Sequence, residues 1–197
     1  NKLRSSLTLL GIGIGVFSVI GVMTAIRTLE SSIASGLNVF AANTFVIQKN
    51  PEWDFGRRDR KYRNRKNITI DQYKKLKGRA KIPLLVSPVT GMSERDVQYR
   101  GKKIKNSVEL FGGDEGTIRF YNTFLADGRN FIDDDIHYSR NVCVLGMDVV
   151  DQLFPFEDPI GKRIKIKGLE YFVIGITERQ GEAFGTSKDN YIGIPIS

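Results

Sequence analysis

The first part of the chain is a long apolar run. Residues 5–26 contain no charged side chain and consist largely of Leu, Ile, Val, Gly, Ser and Thr. As a helix rising about 1.5 Å per residue, this run would be about 33 Å long, which matches a hydrocarbon core of about 30 Å. The pattern therefore predicts one membrane-spanning helix close to the N-terminus.

Helical spacing of apolar residues continues beyond this run. Leu29, Ile33 and Leu37 recur on one face, and Gly36 and Asn38 are residue types that end helices. We therefore expect the membrane helix to extend into water as a stalk. The predicted organisation is a cytoplasmic N-terminus and membrane helix over 1–27, an extracytoplasmic extension over 28–43, and a folded extracytoplasmic domain over 44–197.

One face of the predicted membrane helix carries small side chains. Gly11, Gly15, Ser18 and Ala25 fall at helical spacing. Small residues spaced in this way let a second helix approach closely inside a bilayer. We therefore predict that this face packs against a partner helix, although glycine is also generally common in membrane helices.

The charges that flank the run predict its orientation. Lys2 and Arg4 precede it, whereas Arg27 and Glu30 leave its far end nearly neutral. The excess of positive charge marks the cytoplasmic side, so the bulk of the chain is expected outside the cytoplasmic membrane. A cleaved signal peptide is the alternative, but its apolar region would be only about 7–15 residues long.

After the stalk, short helix and strand patterns follow one another. A capping box of Thr69 and Gln72 predicts a helix from Ile70 to Leu76 that stops at Gly78. Further helices are predicted at 114–120 and 147–154, and strands at 44–48, 97–99, 104–111, 141–145, 163–166, 171–176 and 191–196. Turns at 100–102 and 167–170 would make two hairpins. The predicted fold class is α+β, with one transmembrane helix followed by a mixed α/β extracytoplasmic domain.

Positive charge is concentrated in one region. The chain has a formal charge of +8, but residues 57–105 alone hold 17 Lys/Arg against 4 Asp/Glu. The densest part is a predicted basic surface formed by Arg57, Arg58, Arg60, Lys61, Arg63, Arg65 and Lys66. Such a region suits nucleic acid, an acidic partner or anionic lipid. An extracytoplasmic location argues against nucleic acid and leaves anionic lipid, an acidic partner or plain solubility.

Residues that could carry chemistry are sparse. The single cysteine, Cys143, lies in an apolar run and is interpreted as a buried strand residue. The predicted core residues of the following helix are Val149, Val150, Leu153 and Phe154. No phosphate-binding loop is present, and the run of acidic residues at 133–135 is interpreted as a helix start. His137 receives no role. We expect no catalytic residue, metal or cofactor in this chain, although carboxylate pairs of the hydrolase type stay open.

Several short motifs occur together in a recognisable order. They are the opening run 1–15, Gly36-Leu37-Asn38, Gly128-Arg129-Asn130-Phe131 with the acidic residues 133–135, Val142-Cys143-Val144-Leu145-Gly146, Leu153-Phe154, Pro159-Ile160-Gly161-Lys162, Phe172-Val173-Ile174-Gly175-Ile176, Asp189-Asn190 and Ile194-Pro195. Together they resemble the MacB/FtsX-type permeases of ABC transporters, namely their first membrane helix and MacB-like periplasmic core domain. The basic segment 57–66 matches no motif of that family.

The resemblance implies a function and a set of partners. Such permeases work with a cytoplasmic ABC ATPase and a second permease copy or homologue, and a periplasmic adaptor and membrane lipid are further candidates. ATP-driven motion would pass through the first helix to the outer domain, which exports or releases substrate. In this interpretation Leu29 and Ile33 belong to the stalk, and turns of the outer fold are held by Gly128, Arg129, Pro159, Ile160 and Gly161. The alternatives are an anchored binding or sensor domain for an anionic ligand, and an anchored hydrolase.

Overall fold

The apolar N-terminal run folds into a single uninterrupted helix, α1, over Lys2–Leu37. The structure, a computed structural model, describes residues 2–37, 44–49, 64–121, 123–183 and 185–196. Within α1, the segment Arg4–Ser31 is long and apolar enough to cross a membrane. Thr8 and Thr28 each donate their hydroxyl to a carbonyl one turn earlier, so neither polar group needs an outside partner. The prediction that the helix continues beyond the apolar run is confirmed.

The predicted strand at 44–48 is wrong, because these residues are irregular and exposed. Phe45 is 73% exposed and makes no strand pairing with any described residue. Its β-type side chains are compatible with a strand, but a strand also needs a neighbour to receive its backbone hydrogen bonds. The segment does touch the chain ahead of the next helix, since Lys49 donates to the Asn67 side chain over 2.8 Å.

Helix α2 covers Ile70–Arg79 and begins with the predicted capping box. The Gln72 amide donates to Thr69 Oγ1 over 3.4 Å, and the Thr69 amide donates to Gln72 Oε1 over 3.1 Å. The predicted stop at Gly78 is wrong, because the helix continues to Arg79 and the backbone becomes extended only at Ala80, two residues later. Glycine weakens a helix interior by about 1 kcal/mol without ending it.

Nine strands form one mixed sheet in the described part of the chain. Their bounds are β1 Val89–Glu94, β2 Val97–Tyr99, β3 Lys102–Lys103, β4 Val108–Gly113, β5 Leu125–Gly128, β6 Val142–Leu145, β7 Arg163–Ile166, β8 Leu169–Thr177 and β11 Tyr191–Pro195. The order is β1-β4-β11-β6-β8-β7-β2-β3, with β5 also paired to β8, and β1 forms one edge. A separate small hairpin consists of β9 Glu182–Ala183 and β10 Thr186–Ser187. The predicted α+β class is confirmed.

Both predicted turns join antiparallel strands. Arg100 and Gly101 connect β2 to β3, and Lys167 and Gly168 connect β7 to β8, all four with positive φ. This geometry matches the twist of a two-residue hairpin. The single strand predicted at 104–111 is wrong, however. The chain leaves the hairpin after Lys103, and the later residues form β4, which pairs with β1 and β11 instead.

Apolar residues cover both faces of the sheet. Helix α5, Met147–Leu153, lies on one face, and the predicted core residues Val149, Val150, Leu153 and Phe154 are all buried there. Cys143 is fully buried in β6, as predicted. On the other face, Ile118 of helix α3 (Thr117–Phe120) packs with Phe131, Val142, Val144 and Ile174. The acidic residues 133–135 begin helix α4, Asp133–His137, where negative charge favours the helix dipole.

Gly128 supports a stability prediction, because its φ is +81° and an added Cβ would lie 2.3 Å from the Ile174 carbonyl oxygen. We expect Gly128→Ala to lower the free energy of unfolding by about 2–4 kcal/mol, since backbone atoms must move. Gly168→Ala is the matched control: its φ is +79° with open space around it. It should cost only the left-handed backbone penalty, about 1–2 kcal/mol. Urea unfolding of the whole chain in detergent measures both, and equal losses would contradict the steric argument.

Candidate functional site

The small-residue face of α1 is open. A Cβ added at Gly11 or Gly15 would meet no atom within 4 Å apart from the neighbouring backbone of the helix itself. Ser18 and Ala25 are likewise exposed on this helix. The described part of the chain therefore supplies no helix that packs on this face, and any such partner would have to come from elsewhere.

The folded domain meets α1 at the small β9–β10 hairpin. Cα atoms of α1 lie within 8 Å of those of β9. Leu29, on the predicted stalk, is exposed, and Ile33 lies in the helix with its side chain outside the described part. The hairpin follows directly after β8, which has nine residues and pairs with β5, β6 and β7. Helix α1 thus approaches the chain shortly after the strand that has the most neighbours in the described sheet.

A buried carboxylate holds the base of this hairpin. Asp189 accepts hydrogen bonds from the amides of Gln180 (2.9 Å) and Gly181 (2.8 Å) and is almost fully enclosed. Gly146 packs against its backbone so closely that a Cβ there would lie 2.2 Å from the Asp189 carbonyl oxygen. The motifs that end in Gly146 and begin with Asp189 therefore meet at one point. We call these contacts of Asp189 and Gly146 the Asp189 clamp. The clamp joins the hairpin to the end of the sheet where β6 ends and β11 begins.

Tyrosine and threonine hydroxyls extend the clamp into the sheet. Tyr191 donates to Thr177 Oγ1 over 2.7 Å, which connects β11 to the end of β8. Burial raises the pKa of Tyr191 to about 12, so its hydroxyl stays protonated and keeps donating at any physiological pH. Gln180 also donates its side-chain amide to the Thr123 hydroxyl. These contacts make the end of the sheet near α1 a hydrogen-bonded unit.

The predicted turn residues come together on the side of β8 that faces away from β6. The Arg129 amide donates to the Ile174 carbonyl over 2.9 Å, and the Gly161 amide donates to the Val173 carbonyl over 2.9 Å. Ile160 lies 3.1 Å from where a Gly128 Cβ would stand. Pro159 is buried, and its carbonyl accepts from the Lys162 amide over 3.1 Å. Two turns that are distant in sequence thus flank the same strand.

Asp135 fixes the first of these turns from within. Its side chain is fully buried and accepts from the Arg129 guanidinium over 2.6 and 3.2 Å, from Arg140 over 3.3 Å and from the Ile132 amide over 3.2 Å. Hydrogen bonding to Arg129 is the main cause that holds the pKa of Asp135 below its ordinary value of 3.8. Sequence reasoning assigned a role to Arg129 but missed its partner.

A second missed carboxylate, Asp114, attaches α2 to the sheet. Asp114 is buried at the end of β4 and accepts from the Tyr73 hydroxyl over 2.7 Å and from the Gly116 amide over 2.9 Å. Ser87 donates a short hydrogen bond to it, and Lys77 lies 3.7 Å away. Burial and the hydrogen bond to Asp114 raise the pKa of Tyr73 above its ordinary value. One side chain thus holds three segments together.

Most of the predicted basic surface lies outside the described residues, namely Arg57, Arg58, Arg60, Lys61 and Arg63. Arg65 and Lys66 are described and exposed. Arg65 donates to the Lys49 carbonyl over 3.4 Å, which places the end of this segment beside residue 49 and just before α2.

Cys143 and His137, two residues of potentially reactive type, lie in different environments. Burial raises the pKa of the Cys143 thiol far above its ordinary value, so the nucleophilic thiolate is disfavoured. His137 is exposed beside Tyr138, with ring centroids 5.0 Å apart. No group of three or more His, Cys, Asp or Glu among the described residues could hold a metal ion. An open groove of about 250 Å³ runs over β1, β4 and β11, with Met92, Leu110 and Ile194 in its lining.

Asp135 yields a prediction for stability and its pH dependence. We expect Asp135→Asn to lower the free energy of unfolding at pH 7 by about 2 kcal/mol, less than the loss for a fully buried ion pair, because both arginines are half exposed. The folded pKa lies below the unfolded one. The stabilisation is therefore complete above the unfolded pKa and disappears as the pH falls through the folded pKa.

Urea unfolding between pH 7 and pH 2 measures this effect, and the difference between the two proteins should shrink at the acid end. Asp134→Asn is the control, because Asp134 is exposed in the same helical turn. It should change stability by less than about 0.5 kcal/mol. A difference for Asp135→Asn that does not change with pH would contradict the assigned role.

Known proteins share this arrangement of helix and sheet. The model of the MacB-like periplasmic core domain matches residues 5–197. The macrolide export ATP-binding/permease protein MacB of Neisseria gonorrhoeae is 32% identical over 187 residues, which cover 95% of this chain and 28% of that protein. The protein of the same name from Vibrio parahaemolyticus is 28% identical over all of this chain and 29% of its own length. The chain thus spans less than a third of these relatives.

A solved structure agrees with the sequence relatives. The crystal structure of the periplasmic region of MacB from Actinobacillus actinomycetemcomitans superimposes with a TM-score of 0.59 at 25% identity. The match covers 72% of this chain and 60% of that one. A family match over nearly the whole length is joined here to a shared fold and to a helix able to cross a membrane. The chain belongs to the family of MacB-like periplasmic core domains.

Proposed function

We propose that this chain is the motion-transmitting part of an ABC transporter permease of the MacB/FtsX type. In this proposal ATP-driven movement on the cytoplasmic side passes along α1 to the extracytoplasmic domain, which handles substrate export or release. Family membership supports the class of protein. The one observation that carries the proposed mechanism is the unbroken helix Lys2–Leu37, which leads from the membrane span to the folded domain.

The length and continuity of α1 suit it to this role. Its 36 residues give about 54 Å of helix, well beyond the roughly 30 Å of a hydrocarbon core. The backbone hydrogen bonds of a helix resist bending, and no proline interrupts this one. Movement at one end is therefore carried to the other end, where α1 approaches β9 and the Asp189 clamp.

Partners follow from this division of labour. The relatives are named ATP-binding/permease proteins, and this chain corresponds to 28% of the first of them. We place ATP hydrolysis on an ABC ATPase in the cytoplasm, either fused or separate, and assign no catalytic residue to this chain. A second permease would pack on the Gly11 and Gly15 face of α1. A periplasmic adaptor is a further candidate partner.

A break in helix α1 tests the proposal directly. In the full-length protein with its ATPase, Glu30→Pro removes a backbone hydrogen bond near the outer end of the candidate span Arg4–Ser31 and kinks the helix, at a cost of about 3 kcal/mol. We expect export to fall about tenfold while ATP hydrolysis continues, because the two are uncoupled. Glu30→Ala keeps the helix and should export normally. Normal export by the proline variant, measured in membrane vesicles, would refute transmission through α1.

Packing on the small-residue face can be tested separately. Gly15→Ile places a branched side chain where a partner helix would approach, so we expect association of permease copies to weaken by about 1–2 kcal/mol. Gly13→Ile is matched, because Gly13 lies on the opposite side of the same helix. Energy transfer between labelled copies in lipid bilayers reports association. Equal effects of both substitutions would argue against a specific face.

A further inference from the structure

The segment from α2 to Leu84, here called the α2 arm (residues 70–84), combines positive charge with exposed apolar side chains. It holds five Lys/Arg against one Asp. Ile82 and Leu84 are exposed over 94% and 106% of their reference areas, so neither packs against the rest of the described chain. Leaving these two large aliphatic side chains in water is unfavourable, by about 1.5–3 kcal/mol for each side chain left unburied.

The arm is held to the domain at one polar point. Helix α2 buries none of its own residues. Its polar side-chain contacts to Asp114, at the end of β4, are the Tyr73 hydrogen bond and the ion pair of Lys77. Leu85, directly after the arm, packs on Gly116, where an added Cβ would lie 2.7 Å from its Cδ1. This attachment leaves most of the arm exposed.

The remaining cations of the arm are not used internally. Within the described residues, Lys74, Lys75, Arg79 and Lys81 are exposed and form no ion pair. In contrast, Arg163 and Lys165 on β7 both lie within 4 Å of Glu170. The arm therefore presents positive charge that the domain itself does not neutralise, next to apolar surface that it does not cover.

The sheet places the arm away from the point where α1 reaches the domain. The hairpin that approaches α1 follows Thr177, at the end of the sheet that also holds Leu145 and the start of β11. Asp114 follows the opposite end of β4, beside the end of β11. A six-residue strand is about 20 Å long, which separates the two ends. An occupant in solution on the far side of the domain is thus favoured over headgroups of the bilayer that anchors α1.

We infer that the α2 arm is a docking surface for an acidic, partly apolar segment of a partner protein. Carboxylates of that segment would pair with Lys74, Lys75 and Lys81, and its apolar side chains would cover Ile82 and Leu84. Complementary charge of this kind steers association and makes it sensitive to salt. The inference rests on the proposed function only for the placement of α1 in the membrane.

A label at the surface tests this inference in the full-length protein. Leu84→Cys carries an environment-sensitive fluorophore, and Cys143 does not compete for the reagent because it is fully buried. The probe is a synthetic 16-residue amphipathic peptide of Glu and Leu. We expect a saturable blue shift on adding the peptide, at least about fivefold weaker in affinity at 0.3 M than at 0.05 M salt. Lys74→Gln, Lys75→Gln and Lys81→Gln together should abolish most of it.

The matched control neutralises two cations elsewhere. Arg163→Gln with Lys165→Gln should leave peptide affinity within about twofold, since β7 lies outside the proposed surface. Equal loss in this control, or no shift with the peptide, would overturn the inference. A shift with phosphatidylglycerol vesicles but not with the peptide would overturn it in favour of lipid. The Glu30→Pro variant should bind the peptide normally, so failure of transmission through α1 and failure of this surface are distinguishable.

Discussion

Buried carboxylates need hydrogen-bond donors, and three buried carboxylates organise this domain. Asp114, Asp135 and Asp189 are each almost fully enclosed, and each accepts from at least one backbone amide of a neighbouring loop. An unsatisfied buried carboxylate would cost several kcal/mol, so the loops that supply donors are fixed in place. The elements held in this way are α2, the turn before α4 and the β9–β10 hairpin, all at the margin of the sheet.

The position of each carboxylate matches a different task. Asp189 holds the hairpin that approaches α1, and Asp135 fixes the turn on the far side of β8. β8 lies between them with strands on both sides. In the proposed mechanism, movement delivered by α1 would pass to a sheet whose margins are held by these hydrogen bonds, so the domain would move as one body. Asp114 holds α2 in the same way, because α2 has no buried residue that could attach it to the sheet by apolar packing.

Sequence reasoning succeeded where local pattern decides the structure. The length of the apolar run determines α1, the Thr69 capping box starts α2, and paired glycine-containing turns make the two hairpins.

Sequence reasoning failed where pairing with distant residues determines the structure. The 44–48 segment has strand-forming side chains but no partner among the described residues, and β4 finds its neighbours in β1 and β11 rather than in the nearby hairpin. Asp114 was missed because Tyr73 lies 41 residues away. Among the residues 133–135, only the fold determines which one turns inward.

Strand β1 has a consequence for handling the domain. It borders the sheet, pairs only with β4 among the described strands and is exposed along five of its six residues. Every second residue of such a border strand offers an amide and a carbonyl outward, and these can template the addition of another chain. The exposed Met92 and the neighbouring groove add apolar surface that favours this addition. The domain separated from α1 would therefore still carry a strand edge that favours pairing between copies.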